Sequence, residues 1–114
     1  MARTARMIYD SSRVLDNFTN GTGAAVSVGD VAALSDKIGI WQQDVAIAGT
    51  GVVVCVGRWA FPLKTGDTPA EGARVYWDVS AQEITVTATD NIDAGLVVPG
   101  HDLAAGEVCV DIAM

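Results

Sequence analysis

Gly57-Arg58-Trp59-Ala60-Phe61-Pro62-Leu63, a Gly/Asp/Pro loop, Arg74-Val75-Tyr76-Trp77-Asp78 and Ile84-Thr85-Val86-Thr87-Ala88-Thr89 follow one another in the middle of the chain. Aromatic and β-branched residues sit here in short runs split by turn formers, which is the pattern of paired strands and not of a helix. Asp78-Val79-Ser80-Ala81-Gln82-Glu83 has the length of a medium hairpin loop joining the last two runs. Strict alternation from Ile84 to Thr89 predicts an apolar face turned inward and a row of threonines turned out.

The same punctuation extends outward in both directions. Short apolar stretches recur from Val14 onward, separated by Asn20-Gly21, Gly29-Asp30, Gly49-Thr50-Gly51, Gly66-Asp67, Asp90-Asn91 and Pro99-Gly100. Such spacing predicts an all-β domain, a small antiparallel barrel or sandwich. Asn20-Gly21 reads as a tight turn, and Val108, Val110 and Ile112 share one face, with Cys109 and Asp111 opposite. Thr68-Pro69-Ala70-Glu71 matches a capping box with proline at the first helical position, so about one helical turn is expected near 68–72 before Gly72 stops it. Val52-Val53-Val54-Cys55-Val56 does not alternate, and its second apolar face needs a cover. Val52, Val53, Val54 and Val56 therefore form either a subunit interface or a strand that crosses the core under a loop.

A chain of 114 residues is one domain's worth, expected to bury roughly 65% of its unfolded surface. No apolar run approaches the ~18 residues that span a bilayer, and no secretory signal is visible, so a protein made and used without export or membrane is expected. The net charge of −7 is unevenly placed. Residues 1–13 hold Arg3, Arg6 and Arg13 against Asp10, a balance of +2 that leaves −9 for the remainder. The expected organisation is a basic N-terminal arm over 1–13 and a single β-rich body over 14–114. The arm either orders on a partner or is an ordinary frayed terminus. An acidic body with four scattered Lys and Arg residues cannot build the basic stripe that nucleic acid requires.

The chemistry-bearing residues form no catalytic set. Neither Gly49-Thr50-Gly51 nor Gly57 through Lys64-Thr65 has the spacing of a phosphate-binding loop. His101, beside Asp102, has no nucleophile pattern and reads as a surface-turn histidine. Asp90-Asn91-Ile92-Asp93 lacks the alternating ligands and closing glutamate of a calcium loop and reads as a turn. Cys55 and Cys109 match no metal or redox spacing and read as partly or fully buried thiols. Trp41, Trp59 and Trp77 offer a stacking platform in principle, but without basic neighbours they are read as packing residues. No enzyme activity, cofactor or metal is expected.

Gly51 through Val56, Gly57 through Leu63, Gly72-Ala73-Arg74-Val75-Tyr76-Trp77-Asp78, Ile84-Thr85 and Gly106-Glu107-Val108-Cys109-Val110 together resemble a family of small tailed-phage proteins, the capsid decoration or cement proteins. The resemblance covers about residues 14–113, and the Gly95 to Gly106 return looks longer than the family pattern. Some relatives carry a recombinase label of the RecA type, which this chain's missing nucleotide loop and basic surface do not support. The resemblance implies a homotrimer on the outer surface of the assembled, expanded head, made in the host cytoplasm, with the major capsid protein as partner. The arm residues Arg3, Arg6, Met7, Ile8 and Tyr9 are then the expected capsid contact, and the valine run the expected oligomer contact. A head-completion or tail-associated β-barrel module shares these features and is the alternative.

Overall fold

The computed structural model describes residues 14–100 and 102–114, with the backbone alone at Asp16. The arm residues Arg3, Arg6, Met7, Ile8 and Tyr9, the proposed 1–13 segment and His101 lie outside the described residues. The fold is all-β, as the turn spacing predicts. Nine strands run β1 (Val14–Thr19), β2 (Val31–Ala33), β3 (Ile38–Trp41), β4 (Thr50–Val54), β5 (Arg58–Pro62), β6 (Arg74–Asp78), β7 (Glu83–Thr85), β8 (Ile92–Val97) and β9 (Glu107–Asp111). The first four form one antiparallel sheet in the order β1-β4-β3-β2, and the last five a second in the order β5-β9-β8-β6-β7. Each sheet is thus built from its own contiguous part of the chain.

Strand β3 explains how the two sheets share a molecule. All four of its residues are buried, because Ile38 and Ile40 face the second sheet while Gly39 and Trp41 face the other way. The isoleucines join Phe61, Val75, Trp77, Ile84, Ala94, Val97, Val108, Val110 and Ile112 in the main core. Trp41 forms a smaller core with Ala32, Val45 and Val53, flanked by Leu15, Phe18 and Val26. Gly39 carries no side chain because a Cβ there would collide with Val53 Cγ1. Each core holds a tilted aromatic pair, Phe61–Trp77 at 5.9 Å and Phe18–Trp41 at 5.8 Å between ring centroids, worth about 0.5–1.5 kcal/mol beyond area burial.

The second sheet curls until its edges touch. Leu63 bridges Ile84 in parallel, and the Lys64 amide donates to the Ile84 carbonyl at 2.8 Å. One bridge joins β5 to β7 without a full ladder, so the architecture is a sandwich with a strongly curved wall and not a closed barrel. Two bulges bend the strands. One places Asn17 at φ 54° on β1, and the other inserts Ala94 on β8 next to Gly95 at φ 123°. At Gly95 a Cβ would run into the Asp111 carbonyl, so the close approach of β8 to β9 requires glycine.

Several expectations hold. The hairpin between β6 and β7 has a four-residue loop, with Asp78 paired to Glu83 and the Asp78 carboxylate accepting from the Ser80 and Ala81 amides. Val108, Val110 and Ile112 all point into the main core. Cys55 is half-buried and Cys109 buried, both as free thiols.

Three readings are corrected. No helical turn forms at 68–72: Ala70–Ala73 make a single turn with Gly72 at φ 86°, closed by the Ala73 amide donating to the Ala70 carbonyl at 3.0 Å. The neighbouring polar groups are taken by β8, since the Gly72 amide donates to the Val97 carbonyl and the Val97 amide to the Ala73 carbonyl. The alternation from Ile84 to Thr89 stops at Thr85, which is buried while Val86 is exposed. The cause is Asp67, whose carboxylate accepts from the Thr85 hydroxyl at 2.9 Å and the Val86 amide at 3.1 Å, turning the chain out of the sheet. Finally, Asn20-Gly21 opens a longer connection to β2 and is no two-residue turn. The return after β8 is long because it folds back over β9: Gly100 packs so closely on Cys109 that a Cβ would lie 2.6 Å from the cysteine Cβ.

Candidate interaction surface

Asn20 organises the loops that flank the small core. Its side chain is buried and donates to the Ala24 carbonyl at 2.7 Å and, at longer range, to those of Ala46 and Val45. Its carboxamide oxygen accepts from the Thr22 hydroxyl at 2.7 Å, and its backbone pairs with Gly49 and Ala48. Val26 and Val45 bridge the same two loops, and Asp44 accepts from the Val28 amide at 2.9 Å. These bonds hold two apolar side chains outward, Val28 at 63% and Ile47 at 61% exposure.

The valine run divides between inside and outside. Val53 is fully buried in the small core, whereas Val52, Val54 and Val56 are half-buried. Val54 lies beside Ile40 in register, on the side that faces the second sheet, and Val14 beside Val54 on the other flank. The strand is therefore central, between β1 and β3, with one face sealed by its own chain and the other only partly covered.

Among the described residues the ion pairs converge on one carboxylate. The Asp93 carboxylate accepts from Arg74 Nη1 at 2.8 and 2.9 Å and from the Gly95 amide at 3.0 Å, and it lies 3.7 Å from Lys37 Nζ. Lys37 belongs to the β2–β3 loop, so Asp93 ties the two sheets together. Two of the body's four cations are spent on this one carboxylate, and the remaining surface is strongly acidic. Among the described residues no group of three His, Cys, Asp or Glu is placed to hold a metal. Burial pushes the Cys55 thiol up, only partly offset by the nearby Lys37 charge, which leaves it a poor nucleophile. No helix among the described residues is long and apolar enough to cross a membrane.

Sequence reading took Asn20 and Asp90-Asn91-Ile92-Asp93 for turn residues, whereas Ile92 and Asp93 open β8, and it did not single out the exposed tips Val28 and Ile47. An asparagine before glycine looks like any turn residue, and only its burial reveals the network. Val28-Gly29-Asp30 did carry a signal, an apolar residue inside a turn cluster.

No curated protein and no solved structure matches the chain. A family model described as phage cement protein matches residues 11–112. That span takes in all nine strands, both cores and the loops that carry the exposed apolar side chains. A match over nearly the whole folded body leads to one conclusion: the chain belongs to the phage cement protein family.

Proposed function

We propose that this protein stabilises the phage head by binding the outer surface of the assembled, expanded capsid where subunits meet, as a homotrimer, and that it has no enzymatic role. Membership of the cement family carries this reading. The acidic body keeps many copies soluble at high local density, and the basic residues Arg3 and Arg6, with Met7, Ile8 and Tyr9, supply a segment of opposite charge for the capsid. Val52, Val54 and Val56 supply the partly covered apolar surface for the contact between copies, with Val53 supporting them from the core.

Binding that occurs only on the expanded lattice stabilises that lattice by linkage. Three arms engaging together turn later contacts into intramolecular ones, which strengthens attachment by around 10²- to 10⁴-fold. The test is co-sedimentation of the purified protein with expanded and unexpanded heads, after its mass is fixed by light scattering. A trimer that pellets only with expanded heads is expected. Failure to bind either form refutes the reading and directs attention to head-completion and tail components.

A further inference from the structure

The free edge of the small sheet has the features of a strand-docking groove. Among the described residues β2 pairs on one side only, with β3. The Asp30 carbonyl accepts from the Trp41 amide and the Leu34 amide donates to the Lys37 carbonyl, so residues 30, 32 and 34 turn their main-chain groups toward β3. By the alternation of a strand, the amides and carbonyls of Val31 and Ala33 turn outward. The other sheet edges are managed. β1 is kinked by its bulge at Asn17, and β5 and β7 meet each other at Leu63 and Ile84.

A cavity flanks this edge on each face. On one face about 230 Å³ is lined by Phe18, Thr22, Ala32, Ala33 and Trp41. A second cavity of about 290 Å³ is lined by Val26, Val31, Ala33, Trp77, Val79 and Gln82. Thr22 and Ala33 belong to both, so the two hollows adjoin along the strand. Free main-chain groups with a hollow on each face for successive side chains are what an added strand requires.

We propose that the β2 edge receives a short extended segment of a capsid subunit, with apolar side chains at two successive positions, one for each face, and a basic residue beside them. Main-chain bonds form to Val31 and Ala33, and one apolar side chain enters each cavity. The occupant's basic character follows from Asp30, which lines the groove, and from the −9 balance of the body. Because β2 is three residues long, the added strand is about three to five residues. This inference rests on the proposed capsid binding and names the surface that performs it.

Ala33→Pro tests it, since proline at this exposed position removes only the outward amide and is tolerated on an edge strand. Ala33→Thr keeps the amide and serves as control. In co-sedimentation with expanded heads, Ala33→Pro is expected to bind at least tenfold more weakly, with its light-scattering mass unchanged, while Ala33→Thr binds within about threefold of wild type. Val79→Lys, on an exposed residue of the second cavity, is expected to weaken binding similarly and stands in if the proline variant does not fold. Undiminished binding by Ala33→Pro, or by Val79→Lys where it stands in, overturns the groove while leaving capsid binding intact. A fall in mass shows that the edge joins copies of this chain and also overturns it. Wild-type protein that binds no heads sinks the broader reading, and this one with it.

Discussion

Asn20 is the residue on which the loops around the small core depend. Replacing it with alanine removes donors and an acceptor from a buried site and takes one of two donors from each of the Ala24 and Ala46 carbonyls, which keep the Thr22 hydroxyl and the Gly49 amide. Asn20→Ala is expected to cost about 1–3 kcal/mol in urea unfolding, whereas Thr22→Ala, at the exposed end of the network, is expected to cost less. At Gly95, alanine must adopt φ 123° and displace the Asp111 carbonyl. Gly95→Ala is accordingly expected to lower the melting temperature by several degrees, and more than Gly66→Ala, where a Cβ meets open space at a similarly positive φ. Neither effect is visible in the sequence. Asn-Gly and isolated glycine have many ordinary uses, and only long-range neighbours, residues 45–49 for Asn20 and Asp111 for Gly95, give these positions their weight.

Among the elements, β7 shows most clearly where pattern reading succeeds and where it stops. Ile84 points inward as alternation demands, yet the strand ends one residue later because a carboxylate 18 positions upstream captures it. Alternation reports which residues are able to share a face, not where a competing side chain ends the ladder. The β9 pattern was legible for the opposite reason: Val108, Val110 and Ile112 meet no such competitor. The Thr68–Glu71 capping signal failed because β8 offered the same backbone groups better partners.

The Asp67 clamp also sets a pH dependence. Hydrogen bonds from the Val86 amide, and then the Thr85 hydroxyl, lower the Asp67 carboxyl below its ordinary value, with Lys64 adding slightly. A lowered folded-state pKa gives stability that is present above the unfolded value and lost as pH falls through the folded one. The difference in melting temperature between wild type and Asp67→Ala is therefore expected to be steady above about pH 5 and to shrink below about pH 4. A difference that stays constant down to pH 2 would show that the carboxylate's charge is irrelevant to the clamp.

At the scale of the whole molecule, charge and exposed apolar surface separate two kinds of contact. Arg3→Ala with Arg6→Ala is expected to weaken head binding, most clearly at low salt, and to leave the oligomer intact. Val52→Asp with Val54→Asp is expected to shift the light-scattering mass toward the monomer while circular dichroism stays β-rich. Val53→Asp is instead expected to unfold the small core, since that side chain is fully buried. The all-β class was readable from turn spacing alone. The division into two cores was not, because nothing in Ile38-Gly39-Ile40-Trp41 says that successive side chains serve different interiors. That division bears on synthesis from the ribosome. Residues 14–54 emerge first and contain every strand of the small sheet, yet Ile38 and Ile40 belong to an interior whose other walls are still untranslated. Until β9 arrives, a nascent chain carries an uncovered isoleucine pair beside an unpaired strand edge, the combination most prone to cross-association between crowded polysomes.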